Sequence, residues 1–254
     1  MALTVIVIAK DEERNIGKCL ESVQFADEII VLDSGSVDST VAIAKTYTEH
    51  VFSTDWPGYG VQKQRALAKA TSDWVLNLDA DETVSEGLRQ EIMQAMSSDS
   101  FDAYRVAIRM NFYDQALKYS SSPKRHARLF KRDNAYFSND IVHEKIVLPE
   151  GSRIGKLKNA IMHHSFQDVS HMLYKMNKYS SYSAKTYIKK KRKAGFMKTI
   201  ASTSWMFFRC YILQRGILDG KVGFLFAVYN AQGTFYRGIK QLYQDNDLDK
   251  LPIL

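Results

Sequence analysis

Trp74-Val75-Leu76-Asn77-Leu78-Asp79-Ala80-Asp81-Glu82 is the stretch whose reading decides the fold. An apolar run stops abruptly on two carboxylates spaced two apart. Read as a strand, the run places Asp79 and Asp81 on the same side, because side chains alternate with period two. They fall at the strand's carboxyl end, where open α/β sheets place their ligands. Two carboxylates there suit a hard divalent cation, which takes one or two protein carboxylates and fills its remaining positions with water and substrate phosphate. An Asp-Ala-Asp alone also occurs in ordinary turns after strands, so its meaning depends on what surrounds it.

Working outward, the first hundred residues alternate strand and helix signals. Leu3 to Ala9 is a continuous apolar run, as expected of a strand buried on both faces. Ile16, Cys19, Leu20 and Val23 follow at helical spacing, with Asn15 as the expected N-cap. Glu28 to Leu32 and His50 to Ser53 read as strands; Ser39 to Tyr47, Gly58 to Ala70 and Ser85 to Met96 read as helices. This order predicts a mostly parallel, doubly wound sheet. From Phe101 the pattern changes to short strands, beginning with Ala103 to Met110 and continuing through Leu148, and after about Asp168 the chain turns helical, aromatic and basic.

The chain has 254 residues, 45% of them hydrophobic, enough to bury a sizeable core. Its two cysteines, Cys19 and Cys210, have no metal-ligand spacing and fit a reducing compartment. The opening residues are read as a first strand, since they lack the basic start and small-residue cleavage site of a signal peptide. The net charge of +7 is uneven. Between Asp168 and Asp219 lie 50 residues with 11 Lys or Arg and no Asp or Glu; the rest of the chain carries 24 basic against 28 acidic residues. The basic character therefore belongs to one C-terminal segment and points to an anionic surface met locally. No nucleic-acid motif accompanies it, so nucleic acid is not expected as a partner.

A second junction reads Val31-Leu32-Asp33-Ser34-Gly35-Ser36-Val37-Asp38-Ser39-Thr40. A strand ends in Asp33, turns through Gly35 and opens a helix near Asp38. Asp33 at the strand tip is placed to accept a hydrogen bond from a nucleobase N–H, while Asp38 or Ser36 can cap the helix. The two roles are compatible.

These elements together resemble a known family. Thr4-Val5-Ile6-Val7-Ile8-Ala9-Lys10-Asp11-Glu12-Glu13-Arg14-Asn15 looks like the opening of the family 2 glycosyltransferases, Asp33 to Thr40 like their second motif, and Leu78-Asp79-Ala80-Asp81-Glu82 like their metal-binding Asp-x-Asp element. The resemblance covers roughly residues 3–165. It implies a GT-A fold, α/β and Rossmann-like, over residues 1–165, with a nucleotide-binding half to about 98 and an acceptor half from about 99, followed by a helical C-terminal region over 166–254. It implies that Ala9, Asp11 and Glu12 flank a uridine, that Asp33 contacts the uracil, that Asp79 faces ribose and metal, and that Asp81 ligates Mg²⁺ or Mn²⁺. Arg65 sits where the family often has a basic residue near the nucleotide, although Ala66 replaces the usual Asn.

The implied reaction is inverting, metal-dependent hexosyl transfer from a UDP-sugar. The family's base is acidic and lies downstream. In place of the frequent Glu-Asp pair this chain has Asp140-Ile141-Val142-His143-Glu144, which resembles the lipopolysaccharide core branch of the family and its heptose-directed β-glucosyltransferases. Glu144 is the expected base and Asp140 the alternative. Of His163 and His164, His164 is the expected late histidine for the metal. Arg125, Arg128 and Lys131 either hold phosphate charge or line a solvated strand face.

The C-terminal region combines Lys189-Lys190-Lys191-Arg192-Lys193 with apolar, aromatic helical stretches from Phe196 to Leu213 and Val222 to Tyr236. Neither uncharged stretch reaches the 18 or more residues of a spanning helix. A basic amphipathic segment of this kind suits a membrane interface; packing on the core or a dimer contact are the alternatives. The sequence therefore predicts a cytoplasmic enzyme, peripheral on the inner membrane, that moves glucose from UDP-glucose to the heptose region of a lipopolysaccharide inner core. Polyprenyl phosphate, capsule or protein acceptors are the alternatives within the class, and a non-catalytic nucleotide-sugar-binding scaffold outside it.

Overall fold

The structure is a computed structural model; it describes residues 1–98, 100–112, 115–120, 125–138, 145–166, 168–192 and 195–243. The chain divides into two compact units, Met1–Arg109 with Pro123–His164, and Met110–Ser122 with Ser165–Leu254.

The first unit is built on β1 (Leu3–Ala9), α1 (Ile16–Glu21), β2 (Glu28–Asp33), α2 (Thr40–Ala44), β3 (Val51–Ser53), α3 (Tyr59–Leu67), β4 (Trp74–Asp79), β5 (Glu82–Thr83) and α4 (Glu86–Ser97). Strands β6 (Ala103–Phe112), β7 (Gln115–Ala116), β8 (Arg125–Lys131), β9 (Tyr136–Phe137), β10 (Ile146–Val147) and β11 (Ile154–His163) follow. The main sheet runs β3-β2-β1-β4-β8-β6-β11-β5. Its first four strands are mutually parallel, and β8 joins β4 antiparallel. The strand order reverses between β1 and β4, which makes their carboxyl ends a switch-point crevice.

Every residue of β1 is buried, as its apolar run predicts for a strand covered on both faces. Alternation sends Leu3, Val5 and Val7, with Trp74, Leu76 and Leu78 of β4, into one core with α1 and α4. Ile6 and Ile8, with Val75, enter the other core with Ala66, Leu67 and Ala70. Each such aliphatic side chain stabilises the fold by about 1.5–3 kcal/mol relative to exposure. One helix start differs from the cap read off the sequence. Asn15 does not cap α1; its amide donates to Glu12 Oε2 at 2.7 Å. Asp38 Oδ1 accepts from the Thr40 N–H at 3.0 Å at the start of α2. Ser85 caps α4, accepting from the Leu88 N–H at 3.3 Å.

The second unit holds α5 (Val169–Lys189), α6 (Phe196–Phe208) and α7 (Gly220–Tyr243), with a π-helical turn at Arg209–Leu213 and a 3₁₀ turn at Gly216–Asp219 joining the last two. Phe112 centres its small core, with edge-to-face rings of Phe166 at 5.2 Å and Phe226 at 6.0 Å. Gly238 lies so close to Thr199 that an added Cβ would collide with that side chain, so α6 and α7 approach closely there. Asp219 is buried, and its carboxylate accepts the N–H groups of Lys118 (2.9 Å), Tyr119 (3.0 Å) and Ser120 (2.8 Å), plus the Ser120 hydroxyl. Burial opposes its charge, but these donors hold its pKa below the usual carboxylate value. Asp219→Ala orphans several donors at once and should cost about 2–3 kcal/mol in urea unfolding. A variant as stable as wild type would contradict this account of the loop.

Candidate active site at the β1–β4 switch point

The strand β4 ends in Asp79, opposite Ile8 of β1, so the carboxylate stands at the switch point. One of its oxygens, Oδ1, lies 3.0 Å from Lys63 Nζ of α3, and Oδ2 lies 3.0 Å from Arg128 Nη2 of β8. Arg128 also reaches Glu82 Oε1 at 2.8 Å and the Asn77 carbonyl at 3.3 Å. Glu82 closes the turn by accepting the Asp79 N–H at 2.9 Å. The Glu82 side chain is 1% exposed and that of Asp79 36%, so one guanidinium bridges a buried and a half-open carboxylate.

This asymmetry splits the two acids. Burial works against the charge on Asp79, but Arg128 and Lys63 overcome it and hold that carboxyl far below the usual range. Burial dominates at Glu82; Arg128 opposes it, the neighbouring Asp79 charge adds to it, and the carboxyl is pushed up to about 7. Beside them, Asp81 Oδ2 meets His163 Nε2 at 2.9 Å. Partial burial disfavours the imidazolium, but the bond to Asp81 and the charges of Asp81, Glu82 and Asp79 raise its pKa.

The histidine expected from sequence was His164. In the structure its ring nitrogen Nε2 lies 3.0 Å from Thr83 Oγ1, and its backbone N–H donates to the Asp81 carbonyl. His163, paired in register with Glu82 across β5 and β11, is the one against Asp81. Arg65, expected near the nucleotide, does not reach Asp79. It pairs with Asp55 at 2.6 Å on an exposed surface, and Lys63 is the cation of α3 that enters the site. Glu144 and Asp140, the expected base and its alternative, lie outside the described residues.

The segments expected around the nucleotide form one hydrogen-bonded ledge. The Ser34 N–H donates to the Ala9 carbonyl at 2.9 Å, and Asp11, at φ 53°, donates its N–H to Ser36 Oγ and accepts from the Val37 N–H, both at 2.9 Å. The Glu12 N–H meets Thr40 Oγ1 at 2.7 Å. Asp33 is buried and accepts the N–H groups of Gly35 (2.9 Å) and Ser36 (3.0 Å) and the Ser36 hydroxyl, while Gly35 takes φ 82°. Asp33 thus builds its own loop at the strand tip.

Among the described residues, no group of three His, Cys, Asp or Glu side chains is arranged to hold an ion unaided. Both oxygens of Asp79 face cations, whereas the Asp81 carboxylate bonds one side chain, that of His163. This donor set fits a hard divalent ion that substrate phosphate and water complete, with Asp81 as its carboxylate and His163 beside it.

The family model described as Glycosyl transferase family 2 matches residues 4–148. The chain belongs to this family. Among curated relatives of this glycosyltransferase, an uncharacterized glycosyltransferase of Rickettsia felis is 31% identical over 92% of this chain and 87% of that one. The lipopolysaccharide core biosynthesis glycosyltransferase LpsC of Rhizobium meliloti is 30% identical over 99% of this chain and 96% of its own. The solved structure of S. aureus TarS 1–349 aligns with 97% of this chain and 92% of its own at 15% identity and a TM-score of 0.49. The fold of this family 2 glycosyltransferase is GT-A, an α/β sheet with C-terminal helices.

The Asp81–His163 pair makes a checkable statement about pH. Since folding raises the imidazole pKa, the pair's stabilisation is full below about pH 6.5, the unfolded value, and is lost as pH rises through the raised folded value. Asp81→Asn should lower the His163 titration midpoint followed by NMR and flatten that part of the stability curve. A midpoint unmoved by the substitution would refute the coupling.

Proposed function

We propose that this family 2 glycosyltransferase moves a hexose, glucose first, from a UDP-sugar to the heptose region of a lipopolysaccharide inner core, with inversion at the anomeric carbon. The observation that carries the reading is the set of charges at the switch point: Asp81 against His163, and Asp79 fixed between Lys63 and Arg128. The acceptor reading draws support from the LpsC relative, whose name specifies lipopolysaccharide core biosynthesis and which aligns over nearly its whole length.

In this reading Ala9, Asp11 and Glu12 form the ledge for the uridine, with Asp33 ordering it from below. Asp79 faces the ribose, its orientation set by Lys63 and Arg128. Both cations also bring positive potential to the place where a diphosphate carries its charge. Asp81, with His163 at its side, would hold Mg²⁺ or Mn²⁺, which when bound supplies Lewis-acid stabilisation of the departing diphosphate. The acceptor hydroxyl loses its proton to a carboxylate, Glu144 or in its place Asp140, as the oxygen attacks the anomeric carbon. The bond from that carbon to the phosphate oxygen breaks on the opposite face, and a single displacement inverts the centre.

The test is transfer of labelled sugar from a panel of UDP-sugars to heptose-terminated lipopolysaccharide, with Mn²⁺, Mg²⁺ or chelator. Asp81→Ala and Glu144→Gln should each lower turnover by about 10²-fold or more. Lys63→Met should also lower it, while Arg65→Gln should leave it within a few-fold. Turnover that survives Asp81→Ala and chelation together would sink the site assignment. Transfer to polyprenyl phosphate alone would keep the donor site and move the acceptor.

A further inference from the structure

The second unit carries an exposed apolar surface of its own. Large apolar side chains lie in solvent along the turn joining α6 to α7 and on the helix ends that flank it. Trp205 is 56% exposed, Leu213 56%, Ile217 52%, Leu218 58% and Leu225 48%. Scattered single exposures need no explanation, but this many on one helical hairpin do.

Its charge is one-sided. From Val169 to Tyr243 the chain carries 14 Lys or Arg and a single acid, Asp219. That acid lies within the tip itself, yet it is turned inward, buried and bonded to the backbone of Lys118, Tyr119 and Ser120. Exposed Arg209, Arg215 and Lys221 remain among the apolar side chains. The tip also bears an open cavity of about 430 Å³ lined by Tyr211, Gly220, Lys221, Phe224 and Leu225, an apolar hollow with an ammonium at its rim. Among the described residues no helix is long and apolar enough to cross a membrane.

We propose that this hairpin tip is a docking surface for an anionic phospholipid leaflet, entering it from one side. Apolar side chains flanked by basic ones match the boundary between acyl chains and anionic head groups, where the apolar atoms leave water and the cations stay at the phosphate level. A second copy of the chain would present the same positive charges and repel, so complementarity selects the lipid. Placing Asp219 inward removes the one charge that an anionic surface would oppose. This surface belongs to the second unit and stands independently of the sugar-transfer reading.

The experiment is vesicle flotation of the full chain, comparing phosphatidylethanolamine with phosphatidylglycerol against phosphatidylcholine alone. Wild type should float with the anionic vesicles at least tenfold better than with the neutral ones, and high salt should weaken this. Leu213→Glu/Leu218→Glu alters exposed positions only and should abolish flotation while a thermal melt shows the fold intact. In a Trp56→Phe background, brominated acyl chains should quench Trp205. Failure of wild type to float, equal flotation of the double variant, or equal binding to neutral vesicles would overturn the proposal. So would a concentration-dependent dimer that the double variant breaks without any vesicle binding.

Discussion

Arg128 is the residue on which the first unit's geometry depends. Its guanidinium is almost wholly buried and yet serves Asp79, Glu82 and the carbonyl of Asn77. A planar fork with several donors can do this; a lysine ammonium in its place could not span the same acceptors. Without it, the buried Glu82 would lose its cation beside the half-open Asp79, and removing one side of a buried charge pair typically costs about 3–5 kcal/mol. With it, the end of β4 and the turn to β5 are locked, and Asp81 is the acid left to project beside His163.

The two units settle a carboxylate in opposite ways. In the first, Asp79 is matched by full charges, Lys63 and Arg128, so the region keeps a large local field. In the second, Asp219 is matched by backbone N–H groups, which neutralise it locally and order a loop some hundred residues away in sequence. The first arrangement suits chemistry on a charged substrate, because fixed charges are already in place when the substrate arrives. The second suits architecture.

Much of this was legible in the chain. The β-α alternation, the buried β1 and the carboxylates at the end of β4 follow from period and composition alone. Lys63 was legible too, though the reading settled on Arg65. Lys63 shares the spacing of Ala66, Leu67 and Ala70, the buried face of α3, whereas Arg65 lies on the opposite side of the helix. Arg128 was one of three basic candidates, but its selection over Arg125 and Lys131, like that of His163 over His164, was not legible. Both depend on the register of antiparallel strands far apart in sequence, and a one-residue slip turns either side chain to the other face. Asp33 shows a different limit: its type and place were read correctly as a strand-tip acid, but nothing local says that its oxygens would be spent on Gly35 and Ser36.

The ledge joining residues 9–13 to residues 34–40 has a consequence for how this protein varies. Its bonds run between two loops, each turn of one fastened to a hydroxyl, carboxylate or amide of the other. Neither loop is therefore a separate unit of change. Each bond joins a side chain of one loop to a backbone N–H of the other, so losing the Asp11 or Glu13 carboxylate orphans the N–H of Val37 or Ser39 in the facing loop. The entropy of ordering both loops is already met when the protein folds, so whatever rests on the ledge is spared it. The two segments therefore order one another, and disturbing either loosens both.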